Sequence, residues 1–297
     1  MTPGAPQGDP PETLGRLAAS LRAAFRAAGL DTAALDARIL AAHAAGVDAD
    51  RVVLDPERPV SPEEGARAAG LMERRIAGEP VGRILGEREF WGLAFALSAE
   101  TLEPRPDTET LVERVLSWCD ARGGRERAWR FADVGTGSGC IAVALLCELP
   151  NARAVAVDLS QSALVTAQAN AARHGVAARF SAVCGDFADA LAPGFDMLVS
   201  NPPYIAPQER EALSREVRLF DPPLALFAKD NGLAAYRRIA TEAGRILVDG
   251  GFAMVEIGAA QAADVTGILI AAGFQDIAVF QDLGGRDRVA GALRIAK

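Results

Sequence analysis

The sequence of 297 residues has few of the residues that build metal sites and disulfide frameworks. It has only two histidines, His43 and His174, and its four cysteines include no C-x-x-C pair. Zinc sites and redox-active disulfides need cysteines or histidines that lie closer together in the sequence, so this pattern argues against both. It favours a reducing, cytoplasmic setting. Residues 1–11 lack the basic segment followed by an apolar segment that is typical of a signal peptide. No apolar run approaches the roughly 18 to 20 residues that span a bilayer. The sequence therefore predicts a soluble protein with no membrane partner.

An excess of basic charge is also missing. The formal net charge is -8, and the isoelectric point is about 5.0. Phosphate contacts dominate nucleic-acid affinity, so proteins that act on DNA or RNA normally carry a basic surface. The charge balance predicts no direct nucleic-acid partner. A hydrophobic content of 50% with 24% charged residues indicates a globular chain with enough core for one or two domains.

The hydrophobic spacing divides the chain into two parts. Apolar residues recur at helical intervals over residues 12–80, and Ser61-Pro62-Glu63-Glu64 has the pattern that opens a helix. We predict a small N-terminal helical domain over residues 1–83, of which residues 1–11 are flexible. The second domain is predicted over residues 84–297, and its first part, residues 84–103, alternates like a hairpin linker.

From Trp129 onward, short apolar runs alternate with helical segments. The runs that we interpret as buried strands are residues 131–134, 154–157, 180–183, 195–200 and 252–257. This alternation predicts an α/β fold with a doubly wound, Rossmann-like parallel sheet. Residues 277–280 and 289–295 flank Gly284-Gly285 and predict an antiparallel hairpin as the last part of the sheet.

A glycine-rich loop follows the first of these strands. Gly135-Thr136-Gly137-Ser138-Gly139 leads into an apolar helix, and Asp158 ends the next strand. Glycines let the backbone approach a ligand closely, and an acid at that place can accept hydrogen bonds from ribose hydroxyls. The spacing G-x-G-x-G differs from the G-x-G-x-x-G of dinucleotide enzymes and resembles the S-adenosylmethionine loop of class I methyltransferases. Asp186 and Phe187 follow the third strand, where Phe187 could cover an adenine ring or serve as a core residue.

The fourth strand ends in Asn201-Pro202-Pro203-Tyr204, at the carboxyl edge where doubly wound folds bind their ligands. A proline pair cannot continue a strand ladder, so the Asn201 side chain and the Pro202 carbonyl can face one small volume. Both are acceptors, and two acceptors that hold the NH2 of a planar amide can direct its lone pair at a methyl sulfonium. We therefore predict that Asn201, Pro202 and Tyr204 are catalytic, with Tyr204 stacked on the flat acceptor group.

Asn-Pro-Pro-Tyr in this setting resembles the signature of methyltransferases that act on the amino groups of adenine, cytosine, guanine or glutamine. Three further segments narrow the resemblance: Gly-Glu-Arg-Glu-Phe-Trp-Gly at 86–92, Pro-Arg-Pro-Asp-Thr-Glu at 104–109, and residues 282–289. With the helical N-terminal part, the chain from about residue 12 onward resembles the HemK/PrmC family, the glutamine methyltransferases of peptide chain release factors.

The resemblance implies a class I methyltransferase fold, S-adenosyl-L-methionine as cofactor, and methylation of the glutamine in the Gly-Gly-Gln motif of class I release factors. The N-terminal helical domain would help to hold that partner. The residues that would bind the cofactor are Gly135, Thr136, Gly137, Ser138, Gly139, Asp158, Asp186, Phe187 and Asn201. Those that would hold the glutamine and line its approach are Asn201, Pro202, Pro203, Tyr204, Phe90 and Arg105.

Several alternatives remain at this point. A DNA or RNA amino methyltransferase shares the sheet and the tetrapeptide, but it normally brings a basic recognition region. A ribosomal-protein glutamine methyltransferase shares Asn-Pro-Pro-Tyr but not the Pro-Asp-Thr-Glu segment. A nicotinamide dehydrogenase would bind NAD, and a catalytically silent module would have no activity. Arg286 and Arg288 fit either a partner contact or a solvated charge cluster. The segment Phe-Asp-Pro-Pro-Leu at 220–224 departs from the Glu-Pro pair that is usual in the family.

Overall fold

The computed structural model describes residues 12–295 and divides them into two compact units between Leu85 and Gly86. The expectation that residues 1–11 are flexible lies outside the described residues. The predicted hairpin linker begins too early, because Ile84 and Leu85 continue a short helix and Ile84 is buried in the core of the first unit. Within residues 12–295, no helix is both long enough and apolar enough to cross a bilayer.

The first unit consists of helices around one apolar core. They are α1 (Leu14–Ala27), α2 (Ala33–Ala45), α3 (Arg51–Leu54), α4 (Pro62–Ile76) and α5 (Val81–Leu85). Helix α4 begins with the predicted cap: Ser61 Oγ accepts from the Glu64 backbone N–H, and the Glu64 carboxylate accepts from the Ser61 N–H. Such a cap stabilises a helix by about 1 kcal/mol. A buried ion pair, Arg75 to Asp36 at 2.7 Å, joins α4 to α2.

The second unit contains a small hairpin and a larger sheet. The strands are β1 (Glu87–Phe90), β2 (Leu93–Ala96), β3 (Arg130–Val134), β4 (Arg153–Asp158), β5 (Phe180–Cys184), β6 (Phe195–Ser200), β7 (Leu247–Glu256), β8 (Phe274–Gln281) and β9 (Asp287–Arg294). The helices are α6 (Glu109–Arg122), α7 (Cys140–Glu148), α8 (Gln161–Arg173), α9 (Arg215–Phe220), α10 (Pro223–Leu226), α11 (Ala234–Ile246) and α12 (Ala262–Ala271). Strands β1 and β2 form the antiparallel hairpin.

Within the described chain, the larger sheet has seven strands in the order β5-β4-β3-β6-β7-β9-β8. Neighbours from β5 to β7 are parallel, whereas β9 is antiparallel to both β7 and β8. This confirms the predicted doubly wound α/β fold with an antiparallel last hairpin. Helices α6 to α8 cover one face of the sheet, and α11 and α12 cover the other.

The order of the strands decides where a ligand can bind. The chain moves outward from β3 through β4 to β5, and then returns to place β6 on the other side of β3. At such a switch point the loops after the two central strands diverge, which leaves a crevice at their carboxyl ends. The loop after β3 begins at Gly135 and the segment after β6 begins at Asn201. The topology therefore brings the glycine-rich loop and the tetrapeptide to the same edge of the sheet.

Candidate active site

The glycine-rich loop makes a tight turn between β3 and α7. Gly135, Gly137 and Gly139 have φ values of 74°, 55° and 79°, in the left-handed region that disfavours any side chain. The N–H groups of Gly135 and Thr136 donate to the carbonyl of Val157 at 2.8 and 3.0 Å. These bonds fix the path of the loop against the end of β4.

Asp158 lies half-buried at the end of β4, and its carboxylate is oriented by the backbone. Its Oδ2 accepts from the Gly137 N–H at 2.8 Å, and its Oδ1 accepts from the Ser160 N–H at 2.9 Å. An ionised carboxylate has about four lone-pair positions, so both oxygens can accept further hydrogen bonds. The carboxylate can therefore receive two neighbouring hydroxyl groups while it stays bonded to the loop.

A cavity opens at the carboxyl ends of β3, β4 and β6, and its empty volume is about 1170 Å³ when the open space at its mouth is included. Pockets of several hundred Å³ hold small-molecule ligands, so this cavity can receive one. The predicted residues that line it are Gly135, Thr136, Gly137, Ser138, Asp158, Asp186, Phe187, Asn201, Pro202, Pro203 and Arg105. The structure thus brings together most residues of both predicted groups.

Phe187 combines the two roles considered for it. It lines the cavity and also packs against the core on the α11 side of the sheet. Its φ is 52°, a conformation that is uncommon for a residue with a side chain. Strain of this kind costs on the order of 1 kcal/mol and persists where the surroundings determine the backbone.

Gly139, Phe90 and Tyr204 are not among the residues that line the described cavity. Gly139 is the N-cap of α7, and a Cβ there would lie 3.2 Å from the Cα of Ala167, so its glycine permits α7 and α8 to pack. The expectation that Phe90 lines the glutamine approach is wrong in this structure. Its side chain is 1% exposed and packs edge-on against Phe95, because the hairpin turns that face into the core.

Asn201 belongs to a chain of hydrogen bonds that leads into the protein. Its Nδ2 donates to Thr108 Oγ1 at 3.1 Å, and Thr108 Oγ1 donates to Glu256 Oε2 at 2.6 Å. The Tyr204 hydroxyl donates to the other oxygen of Glu256 at 3.4 Å. Burial raises the pKa of Glu256 to about 7, although the Thr108 hydrogen bond and Arg288 oppose that shift. Burial also raises the pKa of the Tyr204 phenol, which keeps it protonated.

The backbone at Tyr204 is held from two sides. The Gln261 side chain donates from Nε2 to the Tyr204 carbonyl at 3.0 Å. Gly232 has a φ of 84°, and a Cβ there would lie 2.1 Å from the same carbonyl oxygen. Only glycine allows this approach, so both contacts fix the end of the tetrapeptide.

A second buried carboxylate lies beneath the glycine-rich loop. Asp133 is fully buried, and its Oδ2 accepts from Thr136 Oγ1 at 2.6 Å and from the Ala142 N–H at 3.2 Å. Burial raises its pKa to about 7, against the effect of these two hydrogen bonds. Asp133 therefore ties the loop to the first turn of α7.

Three arginines form ion pairs at the cavity or at the hairpin of β8 and β9. Arg105 lines the cavity and forms a close ion pair with the buried carboxylate of Asp221, within the segment that departs from the family pattern. Arg288 is 7% exposed and contacts Asp282 at 3.1 Å and Asp107 at 3.2 Å. Arg286 is exposed and lies 3.4 Å from Asp107. Arg288 is therefore a buried structural cation and does not belong to a solvated cluster.

Sequence reasoning missed Glu256 and Asp133 as residues of this region. Both are acids in runs that are otherwise buried and apolar, residues 252–256 of β7 and residues 131–134 of β3. An acid in such a strand needs hydrogen-bond partners, which is a usable signal for a nearby polar site. It also missed Leu102 and Glu103 in the cavity lining, because no motif marks them, and Leu224, whose segment 220–224 was noted only for its departure from the family pattern.

Family models and curated proteins both match this chain, and the matches cover parts of both units. The family model described as "PrmC N-terminal domain" matches residues 17–86, and "Methyltransferase small domain" matches residues 117–221. The "Release factor glutamine methyltransferase" of Cereibacter sphaeroides is 46% identical over 280 residues, which cover 93% of this chain and 98% of that protein. The protein of the same name from Agrobacterium fabrum is 46% identical over 90% of this chain and 93% of its own length.

Two solved structures show the same fold at low sequence identity. A methyltransferase from Pyrococcus furiosus has a TM-score of 0.52 and 14% identity, with 75% of this chain and 98% of that chain covered. The catalytic domain of hMettl16 in complex with a 3′UTR hairpin has a TM-score of 0.54 and 18% identity, with 78% and 84% covered. These two comparisons support the methyltransferase architecture of the sheet.

Proposed function

Because this chain belongs to the HemK/PrmC family of release factor glutamine methyltransferases, we propose that it methylates the glutamine of the Gly-Gly-Gln motif in class I release factors. The methyl donor is S-adenosyl-L-methionine, and the acceptor is the side-chain amide nitrogen. One observation carries the proposal: a single cavity is lined by the glycine-rich loop and Asp158 on one side and by Asn201 and Pro202 on the other.

The residues on the loop side fit the cofactor. A Cβ added at Gly135 or Gly137 would meet nothing within 4 Å, so the loop presents bare backbone to open space where a ligand can approach. The Asp158 carboxylate is oriented for the ribose hydroxyls, and Asp186 and Phe187 line the part proposed for the adenine. When bound, S-adenosyl-L-methionine supplies an electrophilic methyl group on a sulfonium.

The tetrapeptide side fits a planar amide. Asn201 Oδ1 and the Pro202 carbonyl accept the two N–H bonds of the glutamine amide, which turns the nitrogen lone pair toward the loop side of the cavity. Positioning of this kind can contribute up to roughly 7 to 11 kcal/mol to a bimolecular transfer. Both acceptors bind more tightly as positive charge develops on nitrogen, by about 1.5 to 3 kcal/mol each. A strong base is not needed before the transfer.

Tyr204 and Pro203 complete the proposed glutamine site. Tyr204 is half-buried, and its hydroxyl is bonded to Glu256, so its ring is held at the end of the tetrapeptide. Although Tyr204 is not among the residues that line the cavity, we propose that its ring face packs on the flat amide once the glutamine is bound, and that Pro203 and Arg105 line the entrance. Arg105 is already paired with Asp221, so its proposed effect is on the shape of the entrance and not through a free charge.

We extend the proposal to the partner and the compartment. The N-terminal helical domain, residues 1–83, docks the body of the release factor, and the reaction takes place in the cytoplasm. Within the described part of this domain, Val53 and Leu54 of α3 are 66% and 75% exposed, so two adjacent apolar side chains face solvent. They are suited to contact a partner protein.

Transfer of labelled methyl groups to a set of acceptors tests the proposal. The set contains an intact class I release factor, the same factor with alanine in place of the Gly-Gly-Gln glutamine, a ribosomal protein, and DNA and RNA. We expect label on the first acceptor only, because only that glutamine places an amide in the cavity. Label on nucleic acid, or on the alanine variant to the same extent, would contradict the proposed substrate.

A further inference from the structure

We propose that Thr108 and Glu256 are positioning residues that hold the Asn201 side chain with its amide oxygen toward the cavity. This inference rests on the proposed function, in which that oxygen accepts from the glutamine amide. It is carried by the hydrogen bonds that run from Asn201 Nδ2 to Thr108 Oγ1 at 3.1 Å and from Thr108 Oγ1 to Glu256 Oε2 at 2.6 Å.

The direction of these bonds follows from the chemistry of the three groups. An ionised carboxylate can only accept, so the single proton of the Thr108 hydroxyl is donated to Glu256. The Thr108 oxygen can then only accept from Asn201, which requires the NH2 end of the amide to face Thr108. The two ends of an amide are nearly identical in shape, so packing alone does not select between them. The hydrogen bonds make that selection, and Oδ1 takes the opposite side of the planar group.

The sheet places these groups together although they are far apart in sequence. Ser200 of β6 pairs in register with Val255 of β7, so the next residues, Asn201 just after β6 and Glu256 at the end of β7, lie side by side. Thr108 ends the short 3₁₀ helix Pro106–Thr108 and precedes α6. Thr108 and Glu256 are each 2% exposed, so water does not compete for their hydrogen bonds.

Several ionisable groups face Glu256 from the elements around it. Arg288 of β9 is a cation, and it favours the ionised carboxylate. Asp107, before α6, and burial itself both favour the protonated form. The phenol of Tyr204 donates to the carboxylate, and the phenol of Tyr236 donates to the Glu256 backbone carbonyl at 3.2 Å. Cys140 of α7 is also near enough to interact electrostatically with Glu256.

Protonation of Glu256 removes the constraint on the amide. A protonated carboxyl can itself donate to Thr108, and the Thr108 proton is then free to be donated to the amide oxygen of Asn201. The amide loses its fixed direction as the pH falls below the Glu256 pKa of about 7. Turnover should fall over that range, whereas cofactor binding, which uses the loop and Asp158, should not.

Substitutions at Thr108 test the hydrogen-bond chain. Thr108→Val keeps the shape but removes the hydroxyl, and we expect a roughly tenfold loss of kcat with cofactor affinity unchanged, which is the effect of about one net hydrogen bond. Thr108→Ser restores the hydroxyl and should recover most of the loss. Thr110→Val is the matched control, because Thr110 is also buried and lies in α6, outside this chain of hydrogen bonds. Parental kcat in Thr108→Val, or an equal loss in the control, would overturn the inference.

A pH profile tests the role of Glu256. In Glu256→Gln the group no longer titrates, and its side-chain NH2 can donate to Thr108 as a protonated carboxyl does. We expect kcat at pH 8 to be below that of the parent and the fall in kcat near pH 7 to disappear. Glu242→Gln, which changes another buried glutamate that pairs with Arg245 in α11, should keep the fall. A fall that persists in Glu256→Gln would contradict the inference.

A spectroscopic readout separates this inference from the proposed function. The ¹⁵N-labelled side-chain NH2 of Asn201, assigned by its loss in Asn201→Asp, can be followed by NMR in the cofactor-free protein. We expect its resonances to shift with a midpoint near pH 7, and we expect no such shift in Glu256→Gln. The shift without any methyl transfer to a release factor would defeat the proposed function alone. Transfer without the shift would defeat the positioning role alone.

Discussion

Asn201→Ala tests the proposed hydrogen bonds that hold the glutamine amide. The substitution removes Oδ1, one of two acceptors aimed at the nitrogen on which positive charge develops. Loss of one such preorganised group typically costs about 2.7 to 4 kcal/mol, or roughly a hundred- to a thousandfold in rate. The fold should lose much less, about 1 kcal/mol, because Thr108 keeps its 2.6 Å hydrogen bond to Glu256 and no buried donor is left without a partner.

The assay is single-turnover methyl transfer to a Gly-Gly-Gln substrate with the cofactor saturating, so that the measured rate reports transfer and not cofactor affinity. Asn201→Asp should retain more activity than Asn201→Ala, because it keeps an acceptor of the same shape. It should remain slower than the parent, since it loses the donor to Thr108 and adds a charge near buried Glu256.

Asn151→Ala is the control for the amide itself. Asn151 precedes β4 at the amino end of the sheet, opposite to the cavity, and its Nδ2 donates to the Glu126 carbonyl. Its removal should leave the rate unchanged. A parental single-turnover rate in Asn201→Ala would refute the reasoning, because the second acceptor alone would then be sufficient.

Three further predictions concern the cofactor, the stability and the partner. S-adenosylmethionine should raise the Tm of the parent while NAD does not, and Asp158→Ala should reduce that rise in a thermal melt; equal protection by NAD would contradict the crevice assignment. Since burial raises the pKa of Asp133 to about 7, the unfolded chain ionises first, so the free energy of unfolding should fall as pH rises from about 4 to 7. Asp133→Asn should reduce this fall, by on the order of 4 kcal/mol over the range, in denaturant titrations; an unchanged slope would contradict a raised pKa. The double change Val53→Ser, Leu54→Ser should raise KM for an intact release factor several-fold but not for a short Gly-Gly-Gln peptide. Ile270→Ser is the control, because Ile270 of α12 is also an exposed apolar side chain. Equal effects on both substrates would rule out a docking role.

Local patterns in the sequence predicted the parts of the site that are continuous in the chain. The loop at 135–139 and the tetrapeptide at 201–204 carry their geometry in consecutive residues, and the alternation of strands and helices placed both at one sheet edge. The structure confirms that placement. The short helices α3 and α5 were not predicted, because four or five residues contain too few turns to show a hydrophobic period.

Contacts between distant residues could not be predicted in the same way. Thr108 and Glu256 are 148 positions apart, and they become neighbours only because α6, which Thr108 precedes, packs on β7, which ends at Glu256. Phe90 was misplaced for a similar reason: a hairpin pattern states which residues alternate but not which face of the hairpin packs on the core. The role of Arg288 could not be predicted either, because its ion pair with Asp107 depends on where β9 lies in the sheet.

The most direct test of the central claim is a crystal structure of this protein with the demethylated cofactor and a Gly-Gly-Gln peptide. We expect the glutamine amide nitrogen to lie about 2.7 to 3.2 Å from both Asn201 Oδ1 and the Pro202 carbonyl oxygen, with the cofactor ribose hydroxyls hydrogen-bonded to Asp158. A glutamine side chain that binds outside this cavity, or one that presents its carbonyl oxygen to Asn201, would contradict it.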